Sequence, residues 1–467
     1  MKITMRETTH TYTSLNTLVL FIAFLLLPLA DAQALDIAKR TAANSLPVVQ
    51  VERHNLPVVM VTLLVKASPL DEKPEKAGLA YLTAKMLTEG TTHRSAAEFS
   101  EDVEFLGASV ETSAAGDFTI ISLSVLKKDA DKGFDLLSDL LLNPAFTGSE
   151  LARKKELIKG ALRQREEDPA FVTQKAFIKE VFGNHAYGRL VEGSVETIDR
   201  ISRDDVVNFY HEHYLPGNAI LSVVGDLTPH ELDTLLQKHL SAWKGKQKVS
   251  RSRETTGAKQ GTAAQPAGVR LITIDKDITQ ANISLGHPGI ARDNPDYYAV
   301  SVMNYILGGG GFASRLMRVI RDEMGLTYGI SSAFIGNKEP GQFETEVQTK
   351  SESAGAVVQE ILKQIRKIRT EPVTDRELED AKAYLTGSFP RRFETSRKVA
   401  DFLAAVQFYQ LGDDYIEKYP GYINSVTKEE VLRAAQKYLH PDSCVLVVVG
   451  NQKAIRLPDL KTPQNMQ

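Results

Sequence analysis

The sequence contains a single cysteine, Cys444, among 467 residues, so no disulfide can form within the chain. It lacks an excess of either charge. Fifty-six Lys and Arg stand against 59 Asp and Glu, a formal net charge of −3, which suggests no nucleic-acid or anionic-membrane partner. No apolar run reaches the roughly 20 residues of a membrane span; the longest, Leu18–Ala30, has thirteen. There is no G-x-S-x-G elbow, no G-K-[ST] phosphate loop and no Cys/His arrangement for nucleophilic catalysis. Cys444 itself lies in the apolar strand pattern SCVLVVVG and reads as a buried small hydrophobe.

What is present begins with an address. Lys2 and Arg6 precede the apolar run, and Ala30-Asp31-Ala32 offers a small-residue cleavage site. That order is a secretory signal peptide over residues 1–32. Retention of the segment as an anchor is the alternative. Its removal takes away two basic and two acidic groups, leaving the charge at −3. Export without disulfides points to the bacterial periplasm.

At this length two or more domains are expected. Ile198–Asp226 (IDRISRDDVVNFYHEHYLPGNAILSVVGD) matches Ile423–Asn451 (INSVTKEEVLRAAQKYLHPDSCVLVVVGN) at a constant offset of 225. Both copies predict a helix capped by Ser202 or Thr427, with an acidic residue three positions on. A proline and an apolar strand closing on Gly follow. Lys244–Gly268, rich in Lys, Ser, Thr, Gly and Gln, reads as a flexible linker. The domains are therefore 40–243 and 269–458, with a loose tail beyond Pro458. Strands are expected at Pro57–Lys66, Phe118–Leu126, Val269–Asp275 and Gln280–His287. Helices are expected at Lys132–Leu142, Ser149–Glu166 and Pro295–Leu307, the last with Pro295 in its first turn. The fold class is α+β, repeated twice.

Gly308–Gly311 end the helix from Pro295 and allow close backbone approach. Ser314 then caps a helix ending near Gly325, and Tyr328 begins a strand. By position alone Arg321 is a solvated helix residue and Tyr328 a core or rim residue. Tyr210–Tyr214 (YHEHY) carries His211 and His213 two apart, on different helix faces, and reads as a solvated surface helix. His287 ends its strand with no nucleophile beside it. Arg163–Asp168 is the exposed end of a helix.

Gly78–Thr91 (GLAYLTAKMLTEGT), the stretch Ala291–Phe334 with its glycine run, Gly387–Ser396 (GSFPRRFETS) and the ending VVVGN together resemble the pitrilysin/insulin-degrading (inverted zincin) peptidases. The likeness spans nearly the whole chain after residue 32 and is most specific in the second half. It implies two homologous α/β-roll domains, each an antiparallel sheet with helices on one face, closing like a clam. In the family a helix bearing H-x-x-E-H holds zinc, with the Glu as general base. The matching positions here are Tyr81, Ala84 and Lys85. The family's third ligand, a Glu on a later helix, falls at Gly160 or Ala161. Tyr81 and Lys85 share a helix face, but a neutral phenol is a poor zinc ligand and an ammonium repels a dication. Ala84 can move no proton.

The resemblance also implies that Arg321 holds substrate backbone and that Tyr328, seven residues on, stabilises the oxyanion. It thus implies the non-zinc subunit of a two-subunit bacterial metallopeptidase. Such a chain binds no cofactor, is inactive alone, and works with a homologous H-x-x-E-H subunit, which carries the zinc, on peptide substrates. The competing reading is a non-catalytic scaffold or a peptide binder working by strand addition. A self-sufficient hydrolase finds no motif to support it.

Overall fold

Two apolar runs, AILSVVG and VLVVVG, become the inner strands of two sheets, and their burial explains the architecture. The computed structural model describes residues 36–245 and 265–458. The first half supplies β1 (Ile37–Thr41), β2 (Pro47–Glu52), β3 (Val58–Val65), β4 (Ser109–Ala114), β5 (Thr119–Leu126) and β6 (Ala219–Gly225). The second supplies β7 (Arg270–Asp275), β8 (Gln280–Pro288), β9 (Thr327–Ile335), β10 (Gln342–Lys350) and β11 (Val445–Gly450). The sheet orders are β1-β2-β6-β3-β5-β4 and β7-β11-β8-β10-β9.

The duplication is visible in the pairing. β6 runs parallel to β2 and antiparallel to β3; β11 runs parallel to β7 and antiparallel to β8. The helices leading into them, Arg203–His213 and Lys428–Tyr438, start with the same reciprocal cap. Asp205 N–H donates to Ser202 Oγ at 3.2 Å while the Asp205 carboxylate accepts from Ser202 N–H at 2.7 Å. Glu430 and Thr427 repeat it at 3.2 and 2.9 Å. Each cap satisfies two N–H groups that a helix start leaves without partners.

Each sheet packs one face on its own helices. Leu446 and Val448 join the second half's core, and Ala219, Leu221 and Val223 join the first's. The opposite faces of β6 and β11 are covered by helices exchanged between the halves. Helix Pro169–Phe182 of the first half lays Phe177 and Val181 on Val445, Val447 and Val449. Helix Ser396–Tyr409 of the second half lays Ala404 and Phe408 on Ile220 and Leu64. Burial on both faces is why these strands are near-continuous apolar runs, interrupted only by Ser222, rather than alternating ones. Gly286 makes room for the exchange: a Cβ there would stand 2.9 Å from the Phe177 ring.

A polar latch accompanies the exchange. Buried Asp117 accepts from the phenols of Tyr187 in the first half and Tyr409 in the second, the latter at 2.8 Å, and from Lys338 N–H at 2.8 Å. Thr62 Oγ1 donates to Asp401 on the exchanged helix at 2.6 Å.

The expected strands form within a residue or two at each end. Two sequence readings are corrected. Helix Tyr297–Asn304 begins after Asp296, so Pro295 precedes the first turn instead of occupying it. YHEHY is not a solvated helix: Tyr210, His213 and Tyr214 are buried, with His213 against Phe209, because this helix packs on the first core. Residues 1–32, most of the 244–268 linker and the tail beyond Pro458 lie outside the described residues.

The exchange predicts that the halves stay together without a covalent connection. Cleavage at a protease site engineered between residues 246 and 264 should leave both halves co-eluting on gel filtration. Phe177→Ala should cost about 3–5 kcal/mol and loosen the cleaved pair. Separation of the unmutated halves would refute the role given to the exchanged helices.

Candidate functional site

The helix aligned with the zinc helix forms over Leu79–Met86. Gly78 starts it at φ +94°, where a Cβ would stand 2.5 Å from the Glu192 carbonyl oxygen. Glu72 completes the start: its two carboxylate oxygens accept from Gly78 N–H and Ala80 N–H, both at 3.0 Å. Burial pushes Glu72 up to about 7, against the pull of those N–H groups and of Arg189. Nothing in the sequence pattern pointed to Glu72, which reaches the helix start from six residues upstream.

Tyr81 and Lys85 do share a face; the Lys85 ammonium lies 5.6 Å from the Tyr81 ring centroid. Lys85 Nζ donates to the Thr112 carbonyl on β4. Burial, then the Lys154 charge, lowers its pKa. Burial, then Glu192, raises that of Tyr81. Ala84 is fully buried. Gly160 and Ala161 are exposed on helix Gly148–Arg165, which packs against Leu79–Met86. The two helices thus meet as the sequence reading required, but with the wrong donors. A phenol, an ammonium, a glycine and two alanines do not fit zinc. Among the described residues no three His, Cys, Asp or Glu side chains gather to hold a metal.

The second half presents the other residues. Gly308 lets the end of the helix approach β9, since a Cβ would meet Ser332 Oγ at 2.5 Å and its nitrogen at 2.8 Å. Ser314 caps the next segment by accepting from Met317 N–H at 3.4 Å. Met317–Glu323 continues as a wide π-helical turn, a form frequent at functional sites. Arg321 lies in that turn, 2.8 Å from Asp322 and 4.8 Å over the Phe312 ring. Arg315, which sequence reasoning missed, anchors the segment: it is buried and donates two bonds to Glu377 at 2.7 and 2.8 Å. Burial works to raise Glu377, but the Arg315 bonds and charge and the Thr374 N–H outweigh it and bring Glu377 to about 2.

Tyr328 is 92% exposed, whereas Ile330, two residues on, is 3% exposed. Regular alternation would put both on one face. The pairing explains the difference. Val347 pairs with Ile330 and Thr349 with Thr327, so β9 takes three steps where β10 takes two. The extra residue, next to Gly329, is a bulge that turns Tyr328 away from the core. Among the described residues neither Arg321 nor Tyr328 bonds to Tyr81, Ala84, Lys85, Gly160 or Ala161.

His287 is structural: Nδ1 bonds the Pro288 carbonyl at 2.9 Å and Nε2 accepts from His440 N–H at 3.1 Å. Burial holds it neutral, down to about 3. Cys444 is buried, and burial pushes its thiol up to about 12.

Two outcomes follow from this geometry. The full chain, equilibrated with zinc and desalted, should carry no stoichiometric metal by atomic emission; one tightly held zinc per chain would contradict the donor analysis. The raised Glu72 also fixes a pH dependence. The folded carboxyl stays protonated up to about 7, whereas the unfolded one ionises near 4.5. Its contribution to stability is therefore complete below the lower value and lost as pH rises through the upper one. The loss is on the order of 3 kcal/mol. Urea midpoints from acid to neutral pH should show that slope flattened in Glu72→Gln; an unchanged slope would assign the titration to another group.

Comparison with known proteins places this geometry. Residues 48–194 match the family model for insulinase (peptidase family M16), and residues 200–385 match that for the peptidase M16 inactive domain. The non-peptidase homolog YmxG of Helicobacter pylori is 30% identical over 358 residues, 75% of this chain and 79% of that one. The uncharacterized zinc protease YmxG of Bacillus subtilis is 24% identical, over 77% of this chain and 85% of that one. A crystal structure of a peptidase M16 inactive domain from Pseudomonas fluorescens superposes with a TM-score of 0.82 at 28% identity, covering 90% of this chain and all of that one. The two-sheet fold is that of the solved relative, and the missing zinc donors accord with the inactive domain and the non-peptidase homolog: the chain belongs to the M16, or insulinase, family of peptidases and is a homologue of its inactive domains.

Proposed function

We propose that this chain is the non-zinc-binding subunit of a two-chain zinc metallopeptidase acting on peptides, exported to the periplasm through its N-terminal segment. Arg321 holds the substrate backbone, and the Tyr328 phenol donates to the oxyanion formed at the zinc of a homologous H-x-x-E-H partner. The observation that carries the reading is the presentation of Tyr328. A large aromatic residue stands almost fully exposed on a strand, turned outward by a bulge. A phenol held on a rigid strand is pre-organised to stabilise developing charge. The donor set at Tyr81, Lys85 and Gly160 supports the division of labour, because this chain cannot supply the metal.

The peptide-binding scaffold reading draws support from the open edges of β4 and β9, each the last strand of its sheet. Such edges accept an added strand.

Capture of the tagged chain from its own periplasm should recover a homologue bearing H-x-x-E-H in stoichiometric amount. In that complex Tyr328→Phe should lower turnover about 10²–10³-fold while assembly persists. Unchanged turnover, or recovery without any such homologue, would overturn the assignment in favour of the scaffold.

A further inference from the structure

Phe312 is 68% exposed and belongs to neither core, although phenylalanine is ordinarily buried. It stands in the short turn Gly311–Ala313, between the glycine run and the segment that carries Arg321. The chain fixes that turn. Gly310 N–H donates to the Tyr305 carbonyl at 2.9 Å, Ala313 N–H to the Gly310 carbonyl at 3.2 Å, and Ser314 N–H to the Gly311 carbonyl at 3.0 Å. Gly311 sits at φ +57°, the left-handed region that glycine enters freely. Ser314 is fully buried, and its hydroxyl donates to the Gly311 carbonyl at 2.7 Å while accepting from Met317 N–H. One residue thus ties the Phe312 turn to the π-helical segment.

What the ring meets is a cation. The Arg321 guanidinium carbon lies over its face, 4.8 Å from the centroid, where the ring's quadrupole attracts positive charge. The two residues are nine apart in sequence, so the turn and not helical spacing brings them together. The guanidinium has one further tie, from Nη1 to Asp322 at 2.8 Å. An ion pair this exposed holds a side chain only weakly. Among the described residues Nε and Nη2 of Arg321 have no partner. Arg318, in the same turn, is taken up by Glu323 at 3.3 Å. A guanidinium resting on an aromatic face keeps its N–H groups available, because they point along its own plane.

We propose that Phe312 is a positioning residue for Arg321: its ring holds the guanidinium so that Nε and Nη2 stand ready to donate to a backbone carbonyl of the substrate. The assignment rests on the substrate-holding role given to Arg321 above. A long side chain loses rotamer freedom when it binds, and a platform already in place removes part of that cost. The contact favours bound substrate and transition state alike, so its loss belongs in KM and not in kcat. At an exposed site a cation–π contact of this kind changes binding about two- to five-fold.

The test is steady-state kinetics of the captured complex on a peptide substrate. Phe312→Leu keeps an apolar side chain and removes the ring; it should raise KM about two- to five-fold and leave kcat unchanged. Phe312→Trp, which offers the strongest π face, should restore the original KM. In Arg321→Gln the ring has no cation to hold, so adding Phe312→Leu should raise KM no further. A second rise in that double variant would make Phe312 a direct substrate contact and overturn the proposal. A rise that Phe312→Trp does not reverse, or a loss of assembly in Phe312→Leu, would make the ring structural and overturn it too. An unchanged KM in Phe312→Leu, while Tyr328→Phe still slows turnover, sinks this inference alone. Capture without any H-x-x-E-H homologue sinks the subunit reading and this inference with it.

Discussion

The fold depends on removing both faces of β6 and β11 from water. Their own helices cover one face of each strand, and the other is covered only by a helix that the opposite half contributes. Neither half can bury its central strand by itself. An isolated first half would expose Ile220 and Leu64, and an isolated second half would expose Val445, Val447 and Val449. At roughly 25 cal/mol per Å² of apolar surface, an exposed strip of this kind outweighs any single polar contact across the interface. Asp117 adds direction to that attraction, since its carboxylate meets phenols from both halves at one point. The exchanged helices also decide where function can sit. They cover the inner strands and stop short of the outermost ones, so the bulge at Tyr328 faces open space.

The helix aligned with the family's zinc helix forms without any zinc donor, and the reason is local. Leu79, Ala80, Leu82, Ala84 and Met86 bury the helix against the first core. Glu72 caps its start. Tyr81 packs on the edge of the same core, and Lys85 lies outside it. The Lys85 ammonium bonds a backbone carbonyl of β4, tying the helix to the sheet's last strand. A cation thus remains where the family holds one, with its charge satisfied by the chain itself. Fold and chemistry are separable here because the helix is held by Leu79, Ala80, Leu82 and Met86, none of them an H-x-x-E-H position.

Much of this was readable from residue order. The offset of 225 announced two copies of one unit, and the strand and cap signals fell where the strands and caps form. The near-continuous apolar runs at Ala219–Gly225 and Val445–Gly450 carried the information that both faces are buried, but not which helices cover them. Pattern alone does not reveal a partner 200 residues away in sequence. Tyr328 shows a sharper limit. Alternation assigns it to the core beside Ile330, and only the isolated Gly329 hints at the bulge that reverses it. YHEHY failed for the opposite reason. The consecutive polar residues His211, Glu212 and His213 concealed a helix end where Tyr210, His213 and Tyr214 pack inward. Glu72 and Arg315 act through contacts that carry no periodic signal.

Three buried or half-buried carboxyl groups show how the chain spends charge. Glu377 meets the Arg315 fork and ionises readily. Glu72 meets backbone N–H groups at a helix start, which offset part of its burial but not all. Glu344 meets only a neighbouring amide, a hydroxyl and a like-charged carboxylate. The series runs from a carboxyl group that meets a cation to one that meets none among the described residues. Structural carboxyl groups are placed where the chain completes them; the first two lie at helix starts and stabilise them. Glu344 caps nothing. Its strand would pair as well with a neutral residue there, because β10 holds its register through backbone bonds and through Phe343, Thr345 and Val347 on the other face. Glu344 lies on the face that the exchanged helix covers, opposite the Gly286 that meets Phe177, and burial there is the main cause of its raised pKa.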